Sequence, residues 1–94
     1  MEVIIVNDVI KFNIETTYNW YDRTELNLMF VRRVFSHIKE HFHKIGYVYL
    51  ASIYDFLGVE WNPDRENHCI RKDKHNLEFD IIQDDIGYTI TITW

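Results

Sequence analysis

A chain of 94 residues, 47% hydrophobic and 27% charged, has the balance of a folded domain and room for one core. Its formal charge of −5 works against nucleic-acid phosphates and anionic membrane surfaces and favours basic protein surfaces. No apolar run approaches the roughly 20 residues that cross a bilayer, and a single cysteine, Cys69, excludes an intrachain disulfide.

The charge is unevenly placed. Residues 1–47 hold six acids and six bases, while residues 48–94 hold nine acids against four bases. The whole deficit therefore lies in the C-terminal half. The opening MEVIIVND, with an acid at position 2 and a short apolar run, lacks the form of a signal peptide. A reducing cytoplasm, that of a host cell, is the expected compartment. Aromatic side chains reach 16%, enough to fill a small core with rings or to leave some as a contact patch.

In chain order, Val3 to Val6 is a continuous apolar run, and Ile10, Phe12 and Ile14 then alternate with Lys11, Asn13 and Glu15. Period two predicts two short strands, with Asn7-Asp8 as a hairpin turn, or one long bent strand. The segment YNWYDRTEL predicts a helix start, with Asp22 as N-cap, Glu25 completing a capping box, and Tyr21 meeting Leu26 as a hydrophobic staple. Val31, Val34, Phe35, Ile38, Phe42 and Ile45 then fall on one stripe of a long helix that Gly46 ends. Leu50, Ile53, Tyr54 and Leu57 predict a second, shorter helix stopped by Gly58. After the turn EWNPDREN, Leu77, Phe79 and Ile81 alternate with Glu78 and Asp80. Beyond QDDIG, Tyr88, Ile90, Ile92 and Trp94 alternate with Thr89, Thr91 and Thr93, a hairpin pattern, and HCIRK suggests one more strand. The expected fold is α+β over residues 1–94: an antiparallel sheet of four to five strands, order β-β-α-α-β-β, with both helices on one face.

Residues 37–41, His-Ile-Lys-Glu-His, spell the H-x-x-E-H signature of one class of zinc metallopeptidase. A catalytic zinc needs a third protein ligand and a cleft for a peptide. On this helix Glu40 lies beside Lys44 and suits an i,i+4 ion pair instead. His43, His68, Cys69 and His75 are further donors without the spacing of a zinc site, so neither a metal nor a cofactor is expected. The three glycines stand apart, which excludes a phosphate loop, and Asp84-Asp85 reads as a solvated turn. Arg32, Arg33, Lys39 and Lys44 give the long helix a basic back, but the second helix carries a single acid, so direct nucleic-acid binding is not expected. No reaction is named by any of these residues. A non-enzymatic protein is the expectation.

The string GYVYLASIYDFLGVEW at 46–61, followed by the alternating NLEFDII, resembles a module of small phage and prophage proteins of Gram-positive bacteria. Tyr47, Val48, Leu50, Tyr54, Asp55, Leu57 and Gly58 stand in its pattern Y-V-x-L-x-x-x-Y-D-x-L-G, over about half the chain. The chain departs from it in the loop, carrying ENHCIRK where the module has Gly-Trp. The resemblance implies a phage or mobile-element origin and carries no activity with it.

The expected function follows from the acids and that origin. The protein would dock on a basic host protein, such as a CRISPR nuclease or another nucleic-acid-binding defence protein, and inhibit it in the manner of an anti-CRISPR. The expected contact residues are Asp73, Glu78, Asp80, Asp84 and Asp85, with Trp61 and Tyr88 supplying apolar affinity. The protein is expected to be a monomer or homodimer that does not engage membrane. The alternative is a virion structural or assembly accessory protein, with the Thr89/Thr91/Thr93 strand pairing to a neighbour.

Overall fold

Alternation of apolar and polar residues places one strand, β1, at Asn7–Asn13, followed by α1 at Thr24–Ile45. A short strand β2, Tyr47–Tyr49, runs straight into α2, Leu50–Leu57, and three strands follow: β3 Cys69–Arg71, β4 Glu78–Gln83 and β5 Gly87–Thr93. The structure, a computed structural model, describes residues 7–60 and 68–94. The Val3–Val6 run and Trp61 lie outside the described residues.

The fold class is α+β, as the patterns predict, but the strands divide into two sets. One is a three-stranded antiparallel sheet in the order β1-β5-β4, and the other a two-stranded ribbon of β2 and β3. Asn7 and Asp8 do not form a turn. They pair with Thr93 and Ile92 as the first residues of β1. The C-terminal strand β5 is central, with β1 on one side and β4 on the other. Its threonines therefore flank no open edge, which corrects the expectation that this strand pairs with a neighbour. The ribbon is tied to the helices at its ends: the Lys72 N–H donates to the Gly46 carbonyl and the Leu50 N–H to the His68 carbonyl.

One face of the sheet supplies Ile10, Phe12, Tyr88, Ile90 and Ile92 to the core. Val31, Phe35, Ile38 and Phe42 meet it from α1, and Leu50, Ile53, Tyr54 and Leu57 from α2. Burying each such aliphatic or aromatic side chain contributes about 1.5–3 kcal/mol. Phe35 stacks on Phe79 at 4.0 Å and Phe12 on Phe30 at 5.8 Å, locking α1 across the sheet. Ile45, the last residue of the predicted stripe, is 54% exposed because the ribbon, not the sheet, meets the end of α1.

The two ends of α1 are finished differently. Gly46 adopts φ +96° and donates its N–H to the Phe42 carbonyl, the left-handed cap that glycine tolerates. At the other end the N-cap is Arg23, without a side-chain cap bond, so Asp22 and Glu25 form no capping box. Glu25 pairs with Arg23 at 2.8 Å instead. The entering chain is held by Asn27, fully buried, which accepts the Tyr21 N–H at 2.7 Å and donates to the Tyr21 carbonyl at 2.9 Å. Tyr21 turns its ring toward Phe30, 6.2 Å between centroids. Gly58 closes α2 at φ +71°.

Candidate functional site

In an antiparallel pair, directly opposed residues share a face. The register sets Glu78 against Thr93, Asp80 against Thr91 and Ile82 against Thr89, with Asn7, Val9 and Lys11 beyond them on β1. This outward face of the sheet therefore grades from two carboxylates on β4, through three threonine methyls and hydroxyls, to a lysine on β1. Glu78 and Asp80 are both exposed, and Asn76 donates to Glu78 at 3.3 Å.

The β4–β5 turn explains Asp84. Its Oδ1 accepts the N–H groups of Ile86 at 3.1 Å and Gly87 at 2.8 Å, and its Oδ2 accepts the Thr89 hydroxyl at 2.8 Å. Thr89 Oγ1 in turn accepts from the Lys11 ammonium at 2.8 Å. The Thr89 hydroxyl first, then the two backbone N–H groups and the charge of Lys11, hold the Asp84 carboxyl below its ordinary value against a partial burial that raises it. Asp84 is thus a charged turn-former at the rim of the face. Asp85 beside it is exposed.

Two other expected contact residues, Asp73 and Tyr88, lie elsewhere. Asp73 sits in the turn after β3 and pairs with Arg71 at 3.1 Å, so its charge is already answered by a neighbour. Tyr88 is buried, with its hydroxyl donating to the Thr24 carbonyl, and has no surface to offer a partner. The reason is register: Tyr88 shares the inward face with Ile90 and Ile92. The apolar side chains that do flank the carboxylates are Ile82 and Ile86, both more than half exposed, and Val9. Alternation foretells one of them, because adjacent Ile81 and Ile82 cannot both face the core. Tyr18 is 91% exposed at the surface, while Trp20 packs on Phe12.

His37 and His41 are exposed on α1, and Glu40 pairs with Lys44 at 3.3 Å as the spacing predicts. The His37 ring meets Phe56 edge-on, and His75 Nδ1 accepts the Arg71 N–H. Among the described residues no three His, Cys, Asp or Glu side chains converge on a point where a metal ion would sit. No helix there is long and apolar enough to cross a membrane.

A second surface feature lies on the ribbon. Val48 and Ile70 face inward and are buried, so Tyr47, Tyr49, Cys69 and Arg71 face out. They line an open hollow of about 740 Å³ beside Ile45 and Lys72.

No family model, curated protein or solved structure matches this chain. The site therefore has to be read from its own chemistry.

Proposed function

We propose that this protein is a non-enzymatic binding module that docks on a basic protein surface through the outer face of its three-stranded sheet. The observation that carries the reading is the β4 register, which aligns Glu78, Asp80 and Ile82 on one outward face with Asp85 and Ile86 at its end. Carboxylates that pair with no cation among the described residues attract a basic partner from a distance, and exposed isoleucines beside them bury apolar area once contact is made. Ile82 and Ile86 take the role expected of Tyr88, which is buried. The mobile-element resemblance of residues 46–61 extends the reading: the basic partner is a host defence protein that ordinarily holds nucleic acid, and docking inhibits it.

The test uses the full chain with Glu78, Asp80 and Asp85 each changed to Lys, alone and together. Host proteins retained at low salt should be released steeply as ionic strength rises, and the triple reversal should abolish retention while circular dichroism stays unchanged. Retention that survives the triple reversal ends the acidic-face reading. Replacing Ile82 or Ile86 by Asp should speed dissociation instead.

The second reading, a virion assembly component, draws on a different observation. β4 pairs only with β5 among the described residues, so its outer edge offers unpaired backbone groups to an added strand. In that case the chain should co-sediment with particles, and high salt should not release it.

A further inference from the structure

Tyr47 and Tyr49 stand between two hollows and line both. On one side is the 740 Å³ hollow floored by Gly46 and Cys69, and on the other a 160 Å³ hollow against His41, Ser52 and Phe56. The two rings meet edge-on at 5.8 Å and form a ridge, extended by exposed Phe56 and Ile45. A cluster of four large apolar side chains in the open is a contact surface that water does not favour. We propose that this face is where two copies of the chain meet about a two-fold axis, the tyrosine ridge of each seated in the larger hollow of the other.

Two observations select a second copy over other occupants. The first is charge. A two-fold interface brings a patch against itself, so it must be self-complementary. The larger hollow of this face carries both signs in its lining, with Arg71 paired to Asp73 at 3.1 Å. Lys72 is turned onto the His43 carbonyl at the end of α1. Cations already answered in this way have little left for a phosphate or an acidic peptide. The outer face of the sheet shows the opposite case, because two copies presenting Glu78 and Asp80 to each other repel. The second observation is relief. A ridge beside a hollow allows two identical surfaces to interlock, and a standard interface asks about 800 Å² of each partner. That is roughly an eighth of the 6583 Å² of the chain.

This inference is independent of the acidic-face reading, since the ribbon packs on the helices and the carboxylates lie on the far side of the sheet. Sedimentation of the full chain over a micromolar dilution series tests it. A mass of two chains should give way to one on dilution, with little change as salt rises. Tyr49→Lys and Phe56→Asp, both at exposed positions, should each weaken association by about tenfold or more with circular dichroism unchanged. Cys69, lining the hollow, should react more slowly with an alkylating agent as the concentration rises. A single-chain mass throughout overturns the proposal, as does a dimer that both substitutions leave intact. Retention of an acidic peptide or of single-stranded nucleic acid on the Tyr ridge of a monomer also overturns it.

Discussion

The two β units of this chain turn opposite kinds of surface to water. The three-stranded sheet exposes mostly polar side chains, its threonines, Glu78, Asp80 and Lys11 around Val9 and Ile82, while the ribbon exposes Tyr47 and Tyr49. Both bury one face, Ile90 and Ile92 in the sheet and Val48 and Ile70 in the ribbon. Their supports differ. The sheet stacks strands of six and seven residues on two helices, whereas the ribbon is three residues long and leans on the end of α1 and the start of α2. A long sheet can leave its outer face polar because its buried face holds it. The short ribbon instead leaves its rings exposed, the face proposed above as the meeting point of two copies.

If the sheet is the structural centre, its core residues should dominate stability. Ile90→Ala, in the middle of β5, should cost about 4 kcal/mol, and Ile70→Ala in the ribbon about 2–3 kcal/mol. Urea unfolding would show it. The reverse order would break the comparison. Next comes the clamp at the start of α1. Asn27→Ala strands the Tyr21 N–H and carbonyl and should cost about 2–3 kcal/mol in the same assay, more than an exposed cap would.

The two helix-ending glycines sharpen the contrast. A Cβ at Gly58 would lie 2.3 Å from Asn19 Nδ2 and 3.2 Å from Thr17 Oγ1, whereas at Gly46 it meets open space. Gly58→Ala should therefore cost about 2 kcal/mol and Gly46→Ala about 1 kcal/mol, the left-handed backbone penalty alone. Equal losses would mean that the Asn19 side chain simply swings away. Smaller still, Glu78→Lys and Asp80→Lys should each shift stability by under about 0.5 kcal/mol, because both are exposed and make no ion pair among the described residues. A loss of binding alongside unchanged melting would separate surface from scaffold.

The last prediction concerns pH. The Asp84 carboxyl is held low in the fold, chiefly by the Thr89 hydroxyl, so the folded state favours its charged form. Its contribution should be complete above the ordinary carboxylate range and fade as pH falls through the lowered folded value. Denaturation midpoints of Asp84→Asn and the parent chain should therefore differ at neutral pH and converge in acid. Parallel curves would show that the turn does not depend on that charge.

Much of the architecture was legible in the sequence because it is local. The stripe from Val31 to Phe42, the Leu50–Leu57 face, the left-handed caps at Gly46 and Gly58 and the 77–94 hairpin each need only near neighbours. The capping box that the spacing of Asp22 and Glu25 predicts does not form, because buried Asn27, a turn further on, binds the same stretch of backbone. Tyr88, expected at the surface, is buried, as its alternation with Thr89 in β5 already implies. Of the candidate site, Glu78 and Asp80 were legible as outward carboxylates, and Ile82 was foreshadowed by the Ile81-Ile82 break in period.

What the sequence determined by itself was which residues prefer a helix or strand and which of their sides avoids water, because periodicity is a property of consecutive residues. Only the tertiary structure decided that β5 lies between β1 and β4, that β2 and β3 stand apart as a ribbon, and that Thr89 links Lys11 to Asp84. Those pairings join residues up to 86 positions apart, as in Asn7 with Thr93. Such partners are chosen by the closing of backbone hydrogen bonds across a common core, and no short window of sequence contains both sides of that choice.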